Sequence, residues 1–73
     1  MRIIALHKAI YDNDAIDETV SMYRAFCSVL RTDEDEYYKL QFDGFAQDEI
    51  ITIREFCNMA LMQTIKRKIS LHV

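Results

Sequence analysis

The stretch FCSVLRTDEDEYYKLQF, residues 26–42, decides the fold. Its first part alternates Phe26, Ser28 and Leu30 against Cys27, Val29 and Arg31. Its last part alternates Tyr38, Leu40 and Phe42 against Tyr37, Lys39 and Gln41. A period of two in β-branched and aromatic residues is the mark of a strand with one buried face. Between the two runs lies Asp33-Glu34-Asp35-Glu36, a polar link too charged to pack. Two strands around such a link make a β-hairpin. Gly44 then marks its exit.

On both sides of the hairpin the apolar period lengthens to that of a helix. Upstream, residues 15–25 place Ile16, Val20 and Tyr23 on one stripe, with Thr19, Met22 and Phe26 flanking it. Asp14 is the expected N-cap, with Asp17 and Glu18 suited to the positive end of the helix dipole. Downstream, a helix opening near Asp48 carries Ile50, Ile53, Cys57, Ala60, Leu61, Thr64 and Ile65 on a broad apolar face. Phe56 and Ile69 lie beside that face. Residues 2–11 fit either a strand or a helix by spacing, and the absence of a capping residue before them favours the strand. The tail Ser70-Leu71-His72-Val73 reads as a frayed end or a short strand.

The resulting order is strand, helix, strand, strand, helix. In so short a chain an amphipathic helix must cover a sheet face, so the expected architecture is α+β. It is a two-layer α/β sandwich with a three-stranded sheet covered by two helices, built as one small domain over residues 1–73. A single core of this size supplies only roughly 3–5 kcal/mol. Three strands also leave two edges with unpaired backbone groups. Pairing with another copy or with a partner chain is the expected way to complete the core.

Composition narrows the chemistry. Cys27 and Cys57 stand thirty residues apart without a C-x-x-C pair, and His7 and His72 lie near opposite ends, so neither a disulfide framework nor a zinc site is expected. Residues 12–49 hold eleven acids against Arg24, Arg31 and Lys39, which argues against a nucleic-acid surface there. Lys66-Arg67-Lys68 reads as cations at the carboxyl end of a helix. The acid runs 12–14 and 33–36 lack the ligand spacing and glycine of a calcium loop. With one glycine no phosphate-cradling loop can form, and Ser21 and Ser28 lack the glycines of a nucleophile elbow. Cys27 and Cys57 fall on apolar faces, where cysteine behaves as a small hydrophobe. No secretory signal or membrane span is evident, so a soluble, cytoplasmic chain with reduced cysteines and no cofactor is expected.

Asn58 is out of place in the middle of the last helix, where propensity disfavours it. Its context, Glu55-Phe56-Cys57-Asn58-Met59-Ala60-Leu61 with Arg67 behind it, resembles the Glu-Phe-x-Asn-x-x-Leu helix of the HxsD-like family. Ile10-Tyr11, Ala15-Ile16 and Tyr23 carry the rest of the likeness, which spans roughly residues 8–68. The resemblance implies a bacterial accessory protein beside radical-SAM maturases that modify a ribosomally made peptide. It brings no catalytic residues. The expected function is therefore a non-catalytic protein- or peptide-interaction module, a homo-oligomer or the subunit of a partner, with Glu55, Asn58 and Met62 as the candidate partner-binding residues. The alternative is a small dimeric regulatory protein that neutralises a basic partner through the acidic surface of residues 12–36. A third reading, a thiol enzyme using Cys57, would require a depressed thiol pKa.

Overall fold

The computed structural model describes residues 1–70 and has the order β1 (Arg2–His7), α1 (Asn13–Met22), β2 (Ser28–Asp33), β3 (Tyr37–Asp43) and α2 (Glu49–Ser70). Of the tail, Ser70 is the last residue of α2, and Leu71-His72-Val73 lie outside the described residues. The architecture is α+β, with a three-stranded antiparallel sheet in the order β1-β3-β2. The ambiguous amino-terminal run is a strand over residues 2–7. It ends because His7 closes a turn: its carbonyl accepts from the amides of Ile10 and Tyr11, and its Nδ1 accepts from the amide of Ala9 at 3.0 Å.

The hairpin gives the sheet its register. Val29 pairs with Phe42 and Arg31 with Leu40 on one side of β3; Ile4 pairs with Leu40 and Leu6 with Tyr38 on the other. Tyr38, Leu40 and Phe42 are buried, as their alternation predicts, and with Leu6, Ile16, Cys27, Phe56 and Ala60 they form the core. Phe56 is its centre. Its ring stands edge-on to Phe42 at 5.0 Å and to Tyr23 at 5.4 Å. Gly44 adopts φ +60°, in the left-handed region that an L side chain resists, and turns the chain out of β3.

Both helices are capped by aspartates. Asp48 opens α2, its Oδ1 accepting from the amide of Ile51 at 2.9 Å. The cap of α1 is Asp12 rather than Asp14: its Oδ2 accepts from the amide of Ala15 at 3.0 Å. The helix starts two residues earlier than expected because Asp12 is anchored from outside, its own amide donating to Thr64 Oγ1 at 3.0 Å. Such a tertiary bond leaves no local sequence signal. Where the two helices meet, Ala15, Thr19, Ala60 and Thr64 are small and buried. The threonine hydroxyls are satisfied by carbonyls four residues back, at 2.7 Å for Thr19 and 2.8 Å for Thr64.

The covered face of α2 also differs from the expected one. Thr52, Phe56, Ala60 and Thr64 are buried, while Ile50, Leu61 and Ile65 are exposed. The helix carries apolar residues on two sides, and the sheet and α1 can cover only one. The ring of Phe56 fills the space over Phe42, which rotates Leu61 and Ile65 outward.

Candidate interaction surface

Two arginines tie the elements together, Arg31 joining the sheet to α1 and Arg67 joining the two helices. Arg31, on β2, donates to Asp33 Oδ1 at 2.8 Å and Oδ2 at 3.0 Å, reaches Asp17 and Asn13 on α1, and lies 4.8 Å over the Tyr38 ring. The Asp33 hydrogen bond raises the Arg31 pKa above its ordinary value, and the same bond holds the Asp33 carboxyl below the usual carboxylate range. Arg67, in the last turn of α2, bridges to the first turns of α1. It pairs with Glu18, and sits 3.6 Å from Asp12 and 3.8 Å from Asp14. Its role is thus an interhelical clamp as well as a cation at a helix end. Together the two arginines engage Asp12, Asp14, Asp17, Glu18 and Asp33, so much of the acidic stretch is compensated within the molecule.

The thiols do not meet the requirement of an activated nucleophile. Burial raises the pKa of both Cys27 and Cys57, the reverse of what a thiolate at neutral pH needs. Burial likewise raises Tyr11, with the nearby Cys57 adding to the effect. His7 is occupied by the turn it closes and by the ring of Tyr37, whose centroid is 4.8 Å away. Among the described residues no three histidines, cysteines or acids gather as metal ligands would. A groove lined by Lys8, Ile10, Tyr11, Asp12, Tyr38 and Lys68 is open to solvent.

Exposed apolar side chains gather on two surfaces. On the side of the sheet away from the helices, Ile3, Gln41 and Leu30 lie in one row across β1, β3 and β2. Ile3 and Leu30 are 50% and 62% exposed, and Tyr37 stands in the same face. On the outside of α2, Ile50, Ile51, Leu61, Met62, Ile65 and Ile69 are all exposed. The three candidate residues Glu55, Asn58 and Met62 fall within this outer side, one turn apart, and all three are exposed. Leu30 and Ile3 were not singled out by sequence, although the alternation of both strands carries them to the face opposite the core.

The motif that resembles the HxsD-like helix divides by location. Phe56 and Ala60 belong to the core, and Tyr23 packs against it. Glu55, Asn58 and Leu61 face outward, and Arg67 holds α1. Comparison with protein-family models, curated proteins and solved structures returns no match. Among the described residues no helix is long and apolar enough to cross a membrane.

Proposed function

We propose that this chain is a non-catalytic interaction module that docks another polypeptide. The supporting observation is that large apolar side chains are exposed on both layers, Ile3 and Leu30 on the outer face of the sheet and Ile51, Leu61, Met62 and Ile65 on the outside of α2. A soluble monomer rarely leaves large contiguous apolar patches bare, and such patches mark docking sites. The bare sheet face with its two edge strands suits an extended peptide, which could add main-chain hydrogen bonds along β1 or β2. The resemblance of Glu55, Phe56 and Asn58 to the HxsD-like helix gives the proposal a specific form: an accessory subunit that presents a ribosomally made peptide to a radical-SAM enzyme. Raised thiol pKa values add weight against the thiol-enzyme reading. The reading as a neutraliser of basic partners loses weight because Arg31 and Arg67 already engage five of the acids it would use.

The test is photo-crosslinking in the native host, with a photoreactive residue at Leu30 or at Met62 and a control at Asp35 in the hairpin loop. A discrete polypeptide captured from position 30 or 62, and not from 35, is the expected result. Capture of nothing from either surface, or the same mixture from all three positions, would sink the proposal. Identification of a peptide substrate or of a radical-SAM enzyme would decide its specific form.

A further inference from the structure

We infer that Asp43-Gly44, at the exit of β3, is a site of spontaneous covalent modification, where the aspartate isomerises to isoaspartate through a cyclic succinimide. This chemistry needs no partner and follows from the geometry of one turn.

Isomerisation begins when the amide nitrogen that follows an aspartate reaches that aspartate's own carboxyl group. Asp43 is the last residue of β3, and the Gly44 amide, outside the strand, donates to Asp43 Oδ1 at 2.9 Å. The two reacting groups are therefore already in contact, which spares the search a flexible chain must make before a ring can close. Gly44 carries no side chain to screen its nitrogen. A Cβ placed there would meet Ser28 Oγ only at 3.8 Å, so a ring has room to form. Both residues are exposed to the water that the reaction uses. Other aspartates differ on this point. The Ala15 amide, after Asp14, is held by Asp12 Oδ2; the Glu34 amide, after Asp33, is held by the Tyr37 carbonyl; the Glu18 amide, after Asp17, lies inside α1.

The Gly44 nitrogen forms a bond to Asp43 Cγ and gives up its proton, and the hydroxyl of the protonated carboxyl leaves as water. Water then adds to one of the two ring carbonyls. Opening at Cγ returns aspartate. Opening at the backbone carbonyl carbon leaves the chain running through the β-carbon and Cγ, with the former backbone carbonyl now a free carboxylate. Composition is unchanged, and water is the only co-reactant. The new linkage adds one carbon to the backbone between β3 and α2. Just beyond it the Ala46 amide is bonded to the Phe26 carbonyl at 2.8 Å, and the Phe45 ring stacks on Phe42 with centroids 6.3 Å apart. A longer chain at residue 43 displaces both contacts, so isomerisation loosens the exit of β3 and the edge of the core beside it.

The test is to age the full, folded chain in warm neutral buffer beside a portion held unfolded in urea. Isoaspartate is then located by enzymatic methylation of its free carboxylate and by sequencing proteolytic peptides. It is expected at residue 43 before it appears at Asp12, Asp14, Asp17, Asp33, Asp35 or Asp48, and no more slowly in the folded chain than in urea. Asp43→Glu keeps the charge but must close a larger and slower ring, so the label at residue 43 should be lost. Gly44→Ala, which screens the nitrogen, should lower it. A folded chain that stays unmodified at residue 43, whatever happens in urea, would overturn the inference, because the fold would then protect the turn. Isomerisation led by another aspartate in the folded chain would overturn it as well.

Discussion

The two faces of α2 are almost equally apolar, yet they serve opposite ends. The inner face, Thr52, Phe56, Ala60 and Thr64, is buried and mostly small, with one large ring. The outer face, Ile51, Leu61, Met62 and Ile65, is large and aliphatic and lies in solvent. Small residues are what the crowded seam with α1 admits. Large aliphatic residues facing water stabilise nothing in the isolated chain, and they become favourable only when another surface covers them. Side-chain size, more than hydrophobicity, separates the face that closes this fold from the face left in solvent.

This contrast is most easily broken at Phe56. Phe56→Ala should cost about 3–5 kcal/mol through lost burial and the cavity left among Phe42 and Tyr23. That is most of the stability of a core this small, and urea titration followed by circular dichroism should find the variant largely unfolded in buffer. Retention of a cooperative transition near the wild-type midpoint would show that the ring is not the centre of the core.

A smaller loss is expected at Thr64. Thr64→Val keeps the shape but removes the oxygen that receives the Asp12 amide, and leaving that amide unpaired should cost about 1–3 kcal/mol. Hydrogen exchange at the start of α1 should accelerate more than exchange in β3. Arg31→Met should cost about 1 kcal/mol, since Asp17 and Asp33 are themselves well exposed and water screens the pairs. On the outer face, Met62→Gln should change the stability of the monomer by about 0.5 kcal/mol or less. A large loss there under monomeric conditions would mean that the outer face also belongs to the fold.

Stability should also fall at alkaline pH. Cys27, Cys57, Tyr11, Tyr23 and Tyr38 all hold their protons more tightly when folded, chiefly because burial disfavours the charged forms. The unfolded chain therefore releases protons first as pH rises. The stabilisation is complete below the ordinary thiol range and is lost as pH climbs through it and then through the phenol range. Urea midpoints measured from neutral to alkaline pH should decline. A flat profile would mean that the core is wetter than its geometry implies.

The hairpin was legible because a period of two admits only one assignment of faces once Tyr38, Leu40 and Phe42 are seen to be the apolar set. Asp48 was legible as a cap because the bond it makes is local. Asp12 was not, because the bond that positions it comes from Thr64, across the molecule. The exposure of Glu55 and Asn58 fitted their polarity, and that of Met62 its spacing from them. That Leu61 and Ile65 share their surface was hidden, because a helix apolar on two sides gives no local sign of which side is taken.

Element order, strand alternation and the absence of reactive motifs thus follow from the chain of residues alone, since each depends on neighbours within a turn or two. Which stripe of α2 is buried, which aspartate begins α1, and which acids pair with Arg31 and Arg67 were decided only in three dimensions. There the ring of Phe56, the hydroxyl of Thr64 and the guanidinium groups of Arg31 and Arg67 meet groups far away in sequence, and packing chooses among faces that local pattern leaves equivalent.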